Sequence, residues 1–108
     1  MQHEQARIGI RALPGDLAWP TDTLGLVVFA HGSGSSRLSP RNQFVAEVLH
    51  GHHLATLLFD LLTEAEAADR RKVFDIDLLS ARVEEALDWL ESRPDLAGLP
   101  AGVFGAST

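Results

Sequence analysis

The hydrophobic residues of this chain fall into short runs separated by polar and glycine-containing segments. Residues 24–30 and 54–59 form two continuous apolar runs, a pattern typical of strands that are covered on both faces of a parallel sheet. A third and shorter apolar run lies at residues 102–104. These three runs predict the central strands of a sheet.

The N-terminal part of the chain has a weaker pattern. Apolar residues alternate over residues 6–12, which predicts a short, half-buried strand. Residues 13–16 read Leu-Pro-Gly-Asp and predict a turn. Pro20 then limits residues 17–22 to a short edge segment, because proline cannot donate a hydrogen bond to a neighbouring strand.

Two helices are predicted between and after the buried runs. Ser39 and Pro40 suit a helix start, since serine can cap the helix and proline fits its first position. Apolar residues then recur at helical spacing, at Phe44, Val45, Val48 and Leu49, and Gly51 suits the stop. A longer helix is predicted over residues 77–93, ended by Pro94. Its apolar stripe comprises Leu78, Leu79, Val83, Ala86, Leu87 and Leu90.

The resulting order is β, β, α, β, α, β. Alternation of strands and helices predicts the α/β class, with a mainly parallel sheet flanked by helices. The polar segment at residues 63–72 is interpreted as a surface excursion that is partly helical, with its charged run facing solvent. No repeat or internal boundary is apparent, so residues 1–108 are expected to form a single unit.

The composition narrows the function classes. Of the 108 residues, 45% are hydrophobic and 22% are charged, which is ordinary for a globular protein. The formal net charge of −6 argues against a nucleic-acid partner. The apolar runs are too short to cross a membrane, and the N-terminus lacks a signal-peptide pattern. Since there is no cysteine, thiolate chemistry is excluded, and we expect a cytoplasmic protein without a metal or cofactor.

Two loops rich in small residues follow predicted strands, at residues 31–36 and 105–108. Open α/β sheets place ligands at the carboxyl ends of their strands. Gly105, Ala106, Ser107 and Thr108 fill four places of the G-x-S-x-G nucleophile elbow, in which a sharp strand-to-helix turn exposes the serine hydroxyl. The pattern makes Ser107 the candidate nucleophile.

The earlier loop can supply the other half of an oxyanion hole. In α/β-hydrolases one backbone amide follows the nucleophile and another lies in the loop after an earlier strand. The candidate donors are the backbone amides of Ser33 and Thr108, with Gly34 as a second choice. Gly32 and Gly34 let a substrate carbonyl approach the backbone closely.

The stretches "GLVVFAHGSGSSRLSPRN", "LATLLFDLLT" and "AGVFGAST" resemble the N-terminal half of the dienelactone hydrolase-like α/β-hydrolases over residues 25–108. The resemblance implies an incomplete α/β-hydrolase fold, belonging to an eight-stranded sheet, that acts on an ester or lactone. It makes Ser107 the nucleophile of a serine-type member and His31-Gly32-Ser33 the oxyanion loop. The acid and base of the triad follow the nucleophile in chain order. They would therefore lie beyond Thr108, and we expect little or no hydrolysis by these 108 residues alone.

Other interpretations of the chain remain open. The Gly/Ser loop could bind a small anion such as phosphate, although it lacks the lysine of a P-loop. The chain could instead be a non-catalytic half-domain that associates with a second copy, or with another polypeptide that completes the sheet.

Several polar residues near the loops have two interpretations each. His31 could contact substrate. Arg37, Arg41 and Asn42 could bind an acidic group of the substrate, but such residues more often tie a loop to a neighbouring carboxylate, and Asp60 could pair with Arg37 or Arg41 in this way. Three histidines lie at the end of the first predicted helix: His50, His52 and His53. They could share a metal ion, or they could simply favour the helix C-terminus by interacting with its dipole.

Overall fold

The protein is described by a computed structural model that covers residues 1–30 and 37–105. Residues 31–36 and 106–108 lie outside the described structure. The strands are β1 (Gln2–Ile8), β2 (Leu13–Trp19), β3 (Gly25–Ala30), β4 (Leu54–Phe59) and β5 (Ala101–Gly105). The helices are α1 (Pro40–His50), α2 (Glu64–Ala67), α3 (Arg70–Val73) and α4 (Ile76–Glu91).

The five strands form one mixed sheet in the order β1-β2-β4-β3-β5. β2 is antiparallel to both of its neighbours, whereas β3 pairs in parallel with β4 and β5. Four strands therefore point in one direction and only β2 opposes them. This arrangement confirms the predicted α/β class and the mainly parallel sheet, and it matches part of an α/β-hydrolase fold.

The N-terminal hairpin differs from the sequence prediction. Residues 13–16, predicted as a turn, lie inside β2, which is an inner strand rather than an edge segment. The turn lies instead at residues 9–12, where Gly9 has φ of 73° and the Ala12 amide donates to the Gly9 carbonyl at 3.1 Å. Glycine suits this left-handed backbone because it has no Cβ. The missing donor of Pro14 is tolerated near the strand end, and its carbonyl accepts from the Asp60 amide at 3.0 Å.

Each face of the sheet buries its own apolar cluster, because side chains alternate between faces along a strand. One face packs against α4, and its core includes Ile8, Leu13, Leu17, Val28, Leu57, Phe59, Ala86 and Leu90. The other face packs against α1 through Phe29, Leu58 and Ala46. The two continuous apolar runs of the sequence are thus covered on both faces, as predicted.

The boundaries of α1 and α4 agree closely with the sequence pattern. Ser39 caps α1, its hydroxyl accepting from the Asn42 amide at 3.4 Å, and Pro40 is the first helical residue. The apolar residues of α1 do not all face the sheet, however, since Phe44 and Val48 are exposed. The segment before α4 is partly helical, as predicted, and forms α2 and α3.

One ion pair contradicts the interpretation of the charged run as a purely solvated face. Arg82 of α4 is 1% exposed and makes two hydrogen bonds to the carboxylate of Glu66, at 2.8 and 2.7 Å. The same guanidinium donates to the Leu61 carbonyl at 2.9 Å. Glu66 also completes a capping box with Thr63 at the start of α2. The charged segment is therefore anchored to α4 through a buried cation.

Candidate active site

The carboxyl ends of β3, β4 and β5 meet at one edge of the sheet because these strands are parallel. Ala30, the last residue of β3, is the register partner of Gly105, the last residue of β5. Paired neighbouring strands lie about 4.8 Å apart. The two segments singled out in the sequence therefore begin after neighbouring points of this sheet edge. Ala30 and Gly105 are far apart in sequence, so their proximity is a result of the fold.

Six of the predicted site residues lie outside the described structure: His31, Gly32, Ser33, Gly34, Ser107 and Thr108. The described residues give the points from which their loops depart. In the sequence, residues 31–36 stand between Ala30 and Arg37, and residues 106–108 follow Gly105. The roles of Ser107, Ser33 and Thr108 thus stay predictions from sequence.

Arg37 is the predicted site residue that the structure describes, and its contacts are polar. Its backbone amide donates to Asp60 Oδ1 at 3.0 Å, and its Nη1 donates to Asp60 Oδ2 at 2.7 Å. Asp16 lies farther away, with its Oδ2 3.9 Å from Arg37 Nε. Asp60 directly follows β4, so this pair joins the end of the Gly/Ser loop to the same sheet edge. Asp16 carried no signal in the sequence, since its neighbours predicted a turn.

Asn42, near the start of α1, is buried although its side chain is polar. It is 2% exposed, and its Oδ1 has no hydrogen-bond partner among the described residues. A buried amide oxygen without a partner is unfavourable by about 1–3 kcal/mol. The sequence marked Asn42 as a possible ligand of an acidic substrate group, but it gave no sign of this burial, because an asparagine one turn into a helix is usually exposed.

An apolar cleft of about 410 Å³ lies beside the point where the two loops depart. Ala30 and Val103 form its sheet side, and Ile76, Leu79 and Val83 of α4 form its helical side. Val103 is 51% exposed and Ile76 is 71% exposed. Every residue of β5 is exposed, so this edge of the described sheet has the least covering of any strand.

The histidines at the end of α1 do not form a metal site in the part of the chain that the structure describes, where no group of three or more candidate ligands is arranged to hold an ion. His50 Nε2 instead lies 2.8 Å from the hydroxyl of Thr56, a residue that is 1% exposed. Burial is the main cause that lowers the pKa of His50, and His3 lowers it further, while Glu47 acts in the opposite direction. His50 therefore tends to stay neutral and ties the end of α1 to β4.

No helix within residues 1–30 and 37–105 is long and apolar enough to span a membrane. The described part of the candidate site is a sheet edge with the Arg37–Asp60 contact and an apolar cleft. These features agree with a site that binds a small molecule in a concave, largely apolar setting.

Comparison with known proteins gives two kinds of relative. Two curated proteins from strains of Mycobacterium tuberculosis, provisionally named phosphoribosyl transferases, are 52% identical to this chain over 110 residues. The match covers the whole of this chain but only 25% of each of those proteins. No family model matches the sequence.

Solved structures give more direct evidence for the fold. A dienelactone hydrolase from Anabaena variabilis is 50% identical, with a TM-score of 0.88 over 99% of this chain and 52% of its own. A cold-adapted esterase from an Arctic intertidal metagenomic library is 20% identical, with a TM-score of 0.73. A dienelactone hydrolase-like phosphotriesterase from metagenomic libraries is 19% identical, with a TM-score of 0.72. The latter two cover 97% and 96% of this chain and support the fold alone.

The structural neighbours, the mixed sheet and the motifs at residues 25–108 agree with one another. This chain spans about half the length of the solved chains that it matches. By sequence and by fold, the chain is therefore similar to the N-terminal half of a dienelactone hydrolase, and its described sheet matches part of an α/β-hydrolase-like fold.

Proposed function

We propose that these residues form the N-terminal half of a serine-type α/β-hydrolase that cleaves a small ester or lactone. The observation that carries the proposal is the pairing of Ala30 with Gly105, which starts the two candidate loops at adjacent points of one sheet edge. A nucleophile elbow and an oxyanion loop must meet in this way for both to reach one substrate carbonyl.

In the proposed reaction the Ser107 oxygen attacks the substrate carbonyl carbon. The developing oxyanion accepts hydrogen bonds from the backbone amides of Ser33 and Thr108, while Gly32 and Gly34 leave room for it. The bond to the leaving alkoxide then breaks, the serine proton passes through a general base to the alkoxide, and water releases the acid from the acyl-enzyme. The proposed base and the acid that orients it come from outside these 108 residues.

Two further parts of the proposal concern the surroundings of the site. His31 is proposed to contact substrate from the oxyanion loop. Arg37 could do the same, but its guanidinium already pairs with Asp60. We propose the cytoplasm as the compartment, and the proposed chemistry requires neither a metal nor a cofactor.

The test is acylation of Ser107 by 4-nitrophenyl acetate, followed by intact-mass spectrometry and by release of nitrophenolate. Because the general base is proposed to come from outside these residues, slow acetylation without rapid turnover is expected. A Ser107→Ala variant should show neither the adduct nor the associated nitrophenolate. Equal adduct formation by wild type and Ser107→Ala would refute the role of Ser107. Rapid Ser107-dependent turnover would instead refute the claim that the base lies elsewhere.

We further propose that the β5 edge is covered by a second copy of the chain or by a second polypeptide. Val103 and Phe104 are exposed there, and an uncovered strand edge readily pairs with another chain. Size-exclusion chromatography with light scattering should show concentration-dependent association, which Val103→Lys should weaken. The matched variant Val48→Lys changes an exposed apolar residue of α1 instead. A stable monomer at all concentrations would refute this proposal, whereas association without any acylation of Ser107 would favour a purely structural half-domain.

The name of the Mycobacterium tuberculosis relatives supports a second candidate, binding of a phosphate-containing ligand at the Gly/Ser loop. Those proteins are about four times as long as the segment matched, so the transferase name can refer to the three quarters that this chain does not match. Inorganic phosphate offers a simple test by thermal shift. Saturable stabilisation that is lost in a Ser33→Ala, Ser35→Ala double variant would favour the anion site, and no shift would count against it.

A further inference from the structure

Another cavity of about 410 Å³, which we call the hairpin cavity, lies on the α1 face of the sheet between α1 and the β1–β2 hairpin. Its floor is apolar, because Ala18, Ala46 and Leu58 are all buried there. No residue of β3 or β5 is among the described residues that line it. Polar side chains from β1, β2 and α1 form its sides: His3, Gln5, Asp16, Gln43, Glu47 and His50.

The register of the strands explains why space is left at this point. His3 of β1 pairs with Ala18 of β2, and Ala18 pairs in turn with Thr56 of β4. Directly paired residues point to the same face of a sheet, so the single methyl group of Ala18 lies between two longer side chains. His50 of α1 closes the far side, with its Nε2 2.8 Å from Thr56 Oγ1. The cavity therefore depends on a small residue at position 18.

The charge of the hairpin cavity is negative. Asp16 of β2 and Glu47 of α1 each bring a carboxylate to it, and none of its described lining residues is a lysine or an arginine. Glu4 also borders the cavity, but its carboxylate accepts a hydrogen bond from Arg93 at 2.9 Å. Arg37 Nε lies 3.9 Å from Asp16 Oδ2, and the Asp16 side chain is 45% exposed. So long and exposed a contact neutralises Asp16 only weakly.

We propose that the hairpin cavity binds a small organic cation, a primary aliphatic amine whose ammonium group pairs with Asp16 and Glu47 and whose alkyl chain covers the apolar floor. An ammonium group offers three donors and no acceptor, which suits carboxylate and carboxamide oxygens. Charge-assisted hydrogen bonds and burial of the alkyl chain both favour such a ligand, whereas the same carboxylates repel an anion. The inference is independent of the proposed hydrolase function.

Three ligands with the same alkyl chain test the charge requirement: butylamine, 1-butanol and butyrate. Each is titrated into the ¹⁵N-labelled chain at constant pH and ionic strength, and amide chemical shifts are followed by NMR. Butylamine should shift the amides of Ala18 and Thr56 saturably, with a Kd below about 10 mM. Butanol should bind at least about fivefold more weakly, because it lacks the charge, and butyrate should not saturate.

Variants of the lining residues test the location. Glu47→Gln and Asp16→Asn should each raise the Kd for butylamine by about fivefold, the effect expected for loss of one charged partner. Ala18→Leu fills the floor and should abolish saturation. Glu91→Gln is the matched control, since it removes the same charge from an exposed position on α4, and it should leave the Kd unchanged.

Several results would overturn the inference. They are the absence of saturation by butylamine up to about 100 mM, equal binding of butylamine and butanol, and an unchanged Kd in both Glu47→Gln and Asp16→Asn. An equal loss in Glu91→Gln would show that the amine only follows the net negative charge of the chain. If Ala18→Leu unfolds, as its amide spectrum would reveal, the two charge variants still decide the outcome.

Discussion

The buried pair of Glu66 and Arg82 makes a sharp prediction about stability. The Arg82 side chain is 2% exposed, and that of Glu66 is 15% exposed. The hydrogen bonds from Arg82 are the main cause that lowers the pKa of Glu66 from 4.5 to about 2, partly opposed by burial and aided by Thr63. The same carboxylate raises the pKa of Arg82, so both groups are charged in the folded protein near neutral pH.

The pKa of Glu66 converts into a dependence of stability on pH. Each pKa unit is worth about 1.4 kcal/mol, so the ionised carboxylate contributes about 3 kcal/mol to the free energy of unfolding. Because the folded pKa is the lower one, this contribution is fully present above pH 4.5 and is lost as the pH falls from 4.5 towards 2. A domain of this size has about 5–15 kcal/mol in total, so the loss is large.

Glu66→Gln removes the charge but keeps the shape of the side chain and much of its capping role. It leaves Arg82 as a buried cation without its anion, which costs about 3–5 kcal/mol. Urea denaturation at pH 7 and at pH 3 should show a less stable variant at pH 7 and a smaller difference at pH 3. Glu64→Gln, an exposed position on the same helix, should change stability by less than about 0.5 kcal/mol.

The reasoning also predicts partial rescue. Replacing both partners, as in Glu66→Gln with Arg82→Met, should recover part of the stability because no buried charge remains. An equal pH dependence in wild type and Glu66→Gln, or a loss below about 1 kcal/mol at pH 7, would refute the assigned role of this pair.

Two further predictions concern the hairpin and α1. Gly9 has φ of 73°, a left-handed backbone that alanine disfavours, so Gly9→Ala should lower stability by about 1–3 kcal/mol in urea titrations. The new Cβ would also meet Glu85 Oε2, but that end of a flexible side chain can move aside. Gly102→Ala is its control because that Cβ would meet nothing within 4 Å, and an equal loss there would contradict the explanation. Since burial lowers the folded pKa of His50, the unfolded chain binds its proton more readily, and stability should fall as the pH drops below 6.5. His50→Gln should weaken that dependence between pH 7 and pH 5 in thermal melts, and an unchanged profile would show that His50 does not titrate in this way.

The sequence predicted those elements whose signals are local. The apolar runs at β3 and β4 do not alternate with polar residues, so they predict strands that are covered on both faces. Ser39 and Pro40 mark the start of α1, because helix capping depends on neighbouring residues and needs no distant partner. The candidate loops were also found from sequence, because α/β proteins bind ligands at the carboxyl ends of their strands and small residues after a strand therefore indicate a ligand site. The family assignment rested on the same short motifs, and the structural neighbours support it.

Local signals failed where a distant contact decided the outcome. Leu-Pro-Gly-Asp is a favourable turn sequence, yet pairing with β1 on one side and β4 on the other holds it in β2. The charged segment predicted for solvent includes Glu66, which neutralises a buried arginine sixteen residues later. Phe44 and Val48 have the spacing of a core face but lie on the outer side of α1.

The candidate site divides in the same way. The sequence by itself determined which residue types are present for the proposed hydrolysis, because a serine between small residues and a run of glycine and serine are local features. Only the tertiary structure decided that Ala30 and Gly105 are register partners and that Asp60 holds Arg37. The strand order depends on packing across the whole sheet, and so does the contact between Arg37 and Asp60, which lie more than twenty residues apart in sequence. No short stretch of sequence encodes such packing.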